Sequence, residues 1–191
     1  MLRTTKKKAE YKKTLTASET QKLFQLRRAC MKNAIDLIQE AEILYKRRKY
    51  PRAFALAYTA FEEVSKHQIV SDYITGIVAK EELESAFRHH DIKAAYGKIK
   101  VEIGPTIQLN NNVFTQDSTM HYDLKDGKTK LPVRNNSLYV DYSKDFEPSE
   151  PRHNYKAKDA KTMIERITKR INFIFWAEEF NGRIGTKALI K

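Results

Sequence analysis

The chain has 191 residues, 41% hydrophobic and 31% charged, a balance typical of one globular domain rather than a disordered protein. Its single cysteine, Cys30, excludes an intramolecular disulfide and any metal site built from several cysteines. No segment has the apolar length of a membrane-spanning helix, and the basic N-terminus lacks the apolar stretch of a secretory signal. We therefore expect a cytoplasmic protein with no membrane partner.

The charge balance is strongly positive. There are 36 Lys and Arg residues against 24 Asp and Glu residues, which gives a formal net charge of +12. A field of this sign attracts polyanions, and in a cytoplasm the commonest polyanion is nucleic acid. Ordinary solubility of a lysine-rich surface is the alternative explanation, and the charge alone does not separate the two.

The N-terminal third predicts two long helices. Residues 1–17 form a basic arm, and Ser18 with Gln21 has the spacing of a capping box at the start of a helix that runs to about Arg48. A second helix is predicted from Pro51 to Thr75. Because it is apolar on nearly every side, we expect it to be the central and most buried helix.

The rest of the chain predicts two more helices separated by a long insert. The third helix is expected from Ala79 to Ile99, and the last one from about Asp159 to Asn181, followed by a tail, 182–191. Between them the turn-rich insert 105–155 contains an alternating stretch, Ser137 to Tyr142, that predicts a short strand or hairpin. The fold class is therefore all-α, a four-helix bundle in a single domain at 18–181 with one long irregular insert.

One stretch of the second helix carries an unexpected polar group. Residues 53–67 read AFALAYTAFEEVSKH, in which Glu62, Glu63 and Lys66 follow an apolar run. If these side chains are exposed, they form an ordinary helical ion pair worth about 0.3–0.5 kcal/mol. If they face the bundle interior, they are costly to bury and indicate a functional site.

A second polar cluster lies on the predicted third helix, where Arg88, His89, His90 and Lys93 follow one another. Histidine is the usual general acid–base near neutral pH, and a base beside several cations suits metal-independent cleavage of RNA. The alternative is a solvated helix face with no chemical role.

Within the insert, Tyr139 near Arg134 has the composition of a site that stacks on bases. Core packing of the insert is the alternative for these residues.

The sequence predicts neither a metal site nor a cofactor. No Glu-x-x-His or His-Glu-x-x-His spacing occurs, and no glycine-rich phosphate loop follows a predicted strand.

The ordered set of motifs resembles the AbiV-type abortive-infection proteins of the HEPN superfamily. The resemblance rests on the apolar run followed by Glu-Glu-x-x-Lys at Glu62, Glu63 and Lys66, and on His-x-x-Lys at His90 and Lys93. It continues through Arg134, the stretch LYVD at 138–141 and a later proline, Pro148, and in the first helix through Ala41, Leu44 and Tyr45.

The resemblance implies an HEPN-like helical bundle that acts in phage defence, on RNA or on translation. Many HEPN proteins are dimers and metal-independent ribonucleases, and AbiV-type proteins respond to a phage protein. The implied partners are therefore RNA (tRNA, mRNA or rRNA), a phage activator protein and a second copy of the chain. The implied catalytic residues are His90, Glu62, Glu63, Lys66 and Lys93, and the implied RNA-binding residues are Arg88, His89, Arg134 and Tyr139.

One departure from the HEPN pattern leaves catalysis open. HEPN ribonucleases usually carry Arg, four to six residues, then His, and none of the five histidines in this chain has an arginine at that distance upstream. Two hypotheses follow: a metal-independent endoribonuclease that uses His90, or a non-catalytic RNA- or protein-binding helical dimer.

Overall fold

Three long helices form the core of the molecule. The computed structural model describes residues 15–89, 93, 108–109, 112–113, 135, 137–142 and 148–185. The long helices are α1 (Ala17–Lys46), α2 (Tyr50–Ile74) and α5 (Ala157–Asn181). Two shorter helices, α3 (Lys80–Arg88) and α4 (Pro151–Asn154), follow α2 and precede α5. The predicted all-α fold is confirmed.

The N-terminus of α1 has a capping box, but two residues before the predicted one. The Thr16 hydroxyl accepts a hydrogen bond from the backbone N–H of Glu19 at 3.2 Å, and the Glu19 carboxylate accepts one from the backbone N–H of Thr16 at 2.9 Å. The prediction placed the box at Ser18 and Gln21. Thr16 and Glu19 have the same spacing, and a carboxylate is the better acceptor at a helix N-terminus.

The ends of α2 and α5 lie close to their predicted positions, because glycine and proline mark them. Pro51 stands in the first turn of α2, where its missing N–H costs nothing. Gly182 follows α5 in the left-handed conformation, with φ of 57°, as expected for the residue after a helix C-terminus.

The predicted third helix is interrupted at His89, and most of its predicted continuation, 90–92 and 94–99, lies outside the described residues. Helix α3 ends at Arg88, and His89 adopts an extended conformation with φ of −111° and ψ of 127°. Histidine is a weak helix former, which is consistent with a helix end at this position. Lys93 is helical again.

Two short antiparallel strand pairs lie in the insert. Strand β1 (Gln108–Leu109) pairs with β2 (Asn112–Val113), and β3 (Asp141–Tyr142) pairs with β4 (Pro148–Ser149). In the second pair Asp141 lies opposite Ser149. The predicted strand at 137–142 is therefore confirmed only at its end, since Ser137 and Leu138 are helical.

The main core lies between α1, α2 and α5. Small alanine side chains on α2 allow α1 to approach closely, and isoleucines of α5 pack against both helices. The buried side chains of this core include Ala34, Ala41, Ala53, Ala57, Ala60, Phe61, Val64, Ile164, Ile167, Ile171 and Ile174. A smaller cluster of Ile69, Val70, Leu83 and Ala86 packs α3 against the C-terminal half of α2. Helix α2 is thus the central helix, as predicted.

Candidate functional site

The C-terminal half of α2 carries an unusual number of buried polar side chains. Six of them are at most 5% exposed: Glu62, Ser65, His67, Gln68, Ser71 and Asp72. Because burying a polar group costs free energy unless it is partnered, each needs a structural or functional explanation. Around them lie two polar groups, one predicted from the sequence and one not.

The predicted group contains an ion pair, although not the one with the favoured spacing. Lys66 Nζ lies 2.5 Å from Glu63 Oε1, and the two side chains are only 20% and 12% exposed. Glu62 is 5% exposed. The two carboxylates are therefore largely buried. Of the two possibilities that the sequence allowed, an exposed ion pair and a buried polar group, the structure shows the buried one, which costs more free energy.

Helix α3 brings its last turn over this group. Lys66 Nζ lies 5.5 Å from the centroid of the Phe87 ring, a cation–π distance. Phe87 and Arg88, with Leu26, Leu83 and Glu84, also line an open groove of about 330 Å³ between α1 and α3. Phe87 thus contacts the lysine of α2 and also lines the groove, together with the cation of Arg88.

Cys30, on α1, lies beside the same charges. Burial raises the pKa of its thiol, repulsion by the Glu63 carboxylate raises it further, and Lys66 partly offsets both, so that the pKa is about 11. A thiol with this pKa is protonated near neutral pH. Cys30 is therefore a packing residue, 5% exposed, rather than a nucleophile.

The other predicted site residues are distributed differently. Lys93 is buried at 5% exposure, whereas Tyr139 is 64% exposed. Arg88 and His89 are exposed at the end of α3. His90 and Arg134 lie outside the described residues. The structure therefore brings Glu63 and Lys66 together and places the end of α3 above them.

Sequence reasoning missed the second polar group, which joins all three long helices. Arg27 Nε of α1 donates a hydrogen bond to Ser71 Oγ of α2 at 2.7 Å, and the Arg27 guanidinium forms an ion pair with Glu178 of α5. The Ser71 hydroxyl donates to the carbonyl oxygen of His67 at 2.8 Å. We call Arg27, His67, Ser71 and Glu178 the three-helix network.

His67 contacts both other helices of this network. Its Nδ1 lies 3.0 Å from the carbonyl oxygen of Arg27, and because a carbonyl only accepts, Nδ1 carries the hydrogen. Its Nε2 lies 3.5 Å from Glu178 Oε1, which is too long for a well-formed hydrogen bond. The contact with Glu178 is therefore mainly electrostatic.

The network changes the acidity of Glu178. Burial raises the pKa of its carboxyl, but the interactions with His67 and Arg27, together with their positive charge, outweigh burial and lower the pKa below the ordinary 4.5. The backbone N–H of Gly185 also donates to Glu178 Oε1 at 3.4 Å. The carboxylate is therefore held in its charged form by three separate parts of the chain.

A sequence signal for this network exists. Arg27 continues the apolar stripe of α1 formed by Leu23, Cys30 and Ala34, and His67 with Ser71 continues the stripe of Ala60 and Val64 on α2. A polar residue in register with a buried stripe predicts a buried polar partner on a neighbouring helix. Which helix supplies that partner is a matter of tertiary packing and is not encoded locally.

Within the described part of the chain, no group of three or more His, Cys, Asp or Glu residues could hold a metal ion. Helices long and apolar enough to cross a membrane are likewise absent from these residues. Gln68 is buried, and neither its amide nitrogen nor its amide oxygen has a hydrogen-bond partner there.

Comparison with known proteins gives one match. The family model described as AbiV, of the HEPN group, matches residues 22–172, which is more than half of the chain. The match covers α1 from Lys22 onward, α2 to α4 and about the first two thirds of α5, and it includes every predicted site residue. No curated protein and no solved structure matches the chain.

Proposed function

Because the chain belongs to the AbiV family of HEPN proteins, we propose that it is an antiphage abortive-infection effector that acts on RNA as a metal-independent endoribonuclease. The observation that carries the proposal is the Glu63–Lys66 ion pair, largely buried on the central helix beneath Phe87 at the end of α3. The chain leads from there to His90 and Lys93, which are the remaining implied site residues.

The energetic argument concerns the burial of these charges. The side chains of Glu63 and Lys66 are only 12% and 20% exposed, so both charges have lost most of their hydration. This loss costs free energy that an apolar pair of the same volume would not cost. Stability alone therefore gives little reason for Glu62, Glu63 and Lys66 at the centre of α2. Recognition of an anion gives one, because a lysine held by a carboxylate and an aromatic ring is already oriented when a phosphate arrives.

Each residue has a separate role in the proposed reaction. His90 removes the proton from a ribose 2′-hydroxyl, whose oxygen attacks the adjacent phosphorus while the bond to the 5′-oxygen breaks. The departing 5′-oxygen takes up a proton from solvent water, and the His90 imidazolium returns its proton to solvent. Lys66, Lys93 and Arg134 hold the phosphate oxygens, and Glu62 and Glu63 orient these cations. The products are a 2′,3′-cyclic phosphate and a 5′-hydroxyl end.

The RNA strand itself is held by residues near the groove and on the insert. Arg88 and His89 at the end of α3 contact the backbone, and Tyr139 stacks on a base. The net charge of +12 draws the polyanion to the protein and makes its affinity dependent on salt.

The second candidate is a non-catalytic module that binds RNA or a protein partner. One specific observation favours it: no histidine of the chain is preceded by an arginine with four to six residues between the two. In this case Glu62, Glu63 and Lys66 form a structural network. RNA is then bound in a salt-sensitive manner without products.

One assay separates the two candidates. The purified protein is incubated with tRNA and total RNA in EDTA, beside His90→Ala, Lys66→Met and a control, His153→Ala, whose histidine is exposed on α4. Cleavage by the native protein and by His153→Ala, but not by the other two variants, supports the endoribonuclease. RNA that is bound but remains intact, also when lysate of phage-infected cells supplies an activator, supports the binding module.

The role in defence is tested separately, in cells. A bacterial host that expresses the protein is challenged with a panel of phages, and plaque counts are compared with those of a host expressing His90→Ala. Lower plaque counts with the native protein alone support an effector that needs this site. Equal counts with both proteins across the panel contradict it.

A further inference from the structure

Three aromatic rings lie along one side of the C-terminal half of α5. The rings of Trp176 and Phe180 are stacked, with their centroids 5.3 Å apart and their planes at 14°, and the ring of Phe173 lies 5.9 Å from that of Trp176. Trp176 is 37% exposed and Phe180 is 58% exposed. Large exposed apolar side chains that lie together mark an interaction surface more often than single ones do.

The same side of the helix has exposed cations in its N-terminal half. Residues three, four, seven or eight positions apart share one face of a helix. This spacing connects the rings to three exposed cations, and the whole set is Lys158, Arg166, Lys169, Phe173, Trp176 and Phe180. We call this set the α5 outer stripe. From its first residue to its last it is about 33 Å long, at the rise per residue of an α-helix.

Two carboxylates border the stripe, both on the same side. Glu165 forms an ion pair with Lys161 at 3.7 Å, further round the helix, and Glu179 lies one turn from the rings rather than beside the cations. Among the residues that the structure describes, Lys158 and Lys169 have no ion-pair partner. The N-terminal half of the stripe therefore offers positive charge to an anion, and the C-terminal half offers aromatic surface.

We propose that the α5 outer stripe binds single-stranded RNA, with its cations on the phosphates and unpaired bases stacked on the rings of Trp176 and Phe180. Every base has a flat face that stacks on an aromatic ring, whereas a base inside a duplex is already covered on both faces. The cations neutralise phosphates of the same strand. That the strand is RNA rather than DNA rests on the proposed function.

Single-stranded RNA fits this face better than the other ligands that the side chains suggest. A protein partner would cover the rings, but it would leave three cations in line with them without a role. A duplex would engage the cations through its phosphates, but it would leave the rings without a stacking partner. An unpaired strand presents phosphates and flat apolar groups together, so it matches both halves of the stripe.

The rings of the stripe belong to a part of the chain that the family match does not reach. Phe173, Trp176 and Phe180 all lie beyond residue 172, where that match ends. The stripe is also on a different helix from the Glu63–Lys66 pair of α2. It is therefore a second RNA contact, which holds the strand and takes no part in breaking a bond.

The first test uses fluorescence, because Trp176 is the only tryptophan of the chain. The full-length protein is titrated with a single-stranded RNA of about a dozen nucleotides. Its riboses are 2′-O-methylated, so that no 2′-hydroxyl is present to attack a phosphate. Saturable quenching is expected, because a base stacked on the indole ring quenches its emission. The same RNA annealed to its complement is expected to leave the emission unchanged.

Three outcomes of this titration overturn the proposal. The first is RNA that binds, as shown by the anisotropy of a dye on the RNA, without quenching Trp176. The second is equal quenching by the strand and by the duplex. The third is a single-stranded DNA of the same sequence that binds more tightly than the RNA, which would reject RNA as the ligand.

The second test removes one ring at a time. Phe180→Ala is expected to weaken binding of the single strand about tenfold. Phe175→Ala is the matched control, because Phe175 is 46% exposed on the same helix but lies off the stripe, and it is expected to bind with native affinity. Circular dichroism checks that both variants are folded. Native affinity in Phe180→Ala, or an equal loss in both variants, overturns the proposal.

Light scattering on the same two variants examines the alternative of a protein contact. If Phe180→Ala changes the mass of the particle in solution and leaves the affinity for RNA at the native value, the rings contact protein and the proposal is overturned. An unchanged mass with weakened RNA binding supports the stripe.

The third test concerns the cations. Lys169→Met is expected to lower the slope of log affinity against log salt concentration by about one, the loss of a single phosphate contact. Lys32→Met is the control, because the Lys32 side chain is 78% exposed on α1, outside the stripe. An unchanged slope in Lys169→Met overturns the placement of phosphates along the stripe.

These results separate the stripe from the proposed cleavage. If the native protein cleaves ordinary RNA in EDTA and Phe180→Ala binds the methylated strand with native affinity, the endoribonuclease stands and the stripe is rejected. If the methylated strand quenches Trp176 and ordinary RNA remains intact, the stripe stands and the endoribonuclease is rejected.

Discussion

Arg27 on α1 and Glu178 on α5 form an ion pair in which the side chains are only 10% and 13% exposed. Arg27 also donates to Ser71 of α2, so a single guanidinium joins the three long helices. Such a contact adds little stability over an apolar substitute, but removal of one partner leaves the other charge buried and uncompensated.

We therefore expect Arg27→Ala to lower the free energy of unfolding by about 3–5 kcal/mol. The measurement is urea unfolding followed by circular dichroism. Lys32→Ala is the control, because Lys32 pairs with Asp36 at 2.6 Å on the same helix but is 78% exposed. That variant is expected to lose less than about 1 kcal/mol. Equal losses in the two variants would show that the network is not energetically coupled to the fold.

The acidity of Glu178 predicts a pH dependence of stability. Its pKa is lowered from 4.5 in the folded protein, so the unfolded chain binds this proton more readily. The resulting stabilisation is complete above the ordinary pKa and is lost as the pH falls through the lower pKa of the folded state. Part of the loss in the free energy of unfolding at acid pH should therefore come from protonation of this one carboxyl.

The measurement is the free energy of unfolding of the native protein and of Glu178→Gln from about pH 6 down to about pH 3. The native protein is expected to be the more stable at the upper end, and the difference should shrink as the pH falls. Glu165→Gln, on the exposed face of α5, serves as the control. A difference that stays constant with pH would exclude Glu178 as the titrating group.

The sequence predicted the elements whose signals are local. Pro51 and Gly182 mark the ends of helices because their own backbone preferences decide the conformation there. The start of α1 was displaced by two residues because two overlapping pairs, Thr16–Glu19 and Ser18–Gln21, have the same spacing, and only the folded chain selects one. The break at His89 was missed because helical periodicity continues past it.

The residues of the candidate site could be predicted from the sequence, but the contacts between them could not. Glu62, Glu63 and Lys66 were identified from an abrupt change in polarity, and the structure shows Lys66 paired with Glu63 rather than with Glu62 at the favoured spacing. The three-helix network could not be predicted, because Arg27 and Glu178 are 151 residues apart in the chain. A contact of that kind depends on how helices pack, which no local pattern specifies.

Cys30 provides a probe of the candidate site. With a pKa of about 11 against an ordinary 9.0, its thiolate fraction near pH 8 is about a hundredfold below that of a free cysteine. Labelling with a thiol reagent is therefore expected to be at least about a hundred times slower in the native protein than in urea.

A variant connects this probe to the charges beside it. The Glu63 carboxylate raises the pKa of Cys30, so Glu63→Gln should lower that pKa and accelerate labelling. Glu84→Gln, on the exposed face of α3, should leave the rate unchanged. If both variants label at the native rate, Glu63 does not act on the thiol.

The segment after α5 closes over the three-helix network at Gly185. This glycine has a φ of +68°, and a Cβ at its position would overlap Asp72 Oδ1 and lie 3.0 Å from Ser71 Cβ. Gly182 also has a positive φ, +57°, but a Cβ there would meet nothing within 4 Å. The two glycines therefore share the backbone requirement and differ in the space available.

Gly185→Ala is accordingly expected to lower the free energy of unfolding by about 3 kcal/mol, the sum of backbone strain and overlap with α2. Gly182→Ala should cost only the strain, about 1 kcal/mol. Urea unfolding of both variants gives the comparison, and the extra loss in Gly185→Ala measures how tightly the segment packs on Ser71 and Asp72. Equal losses in the two variants would mean that the segment around Gly185 can move away from α2 without a free-energy cost, and that the three-helix network does not depend on it.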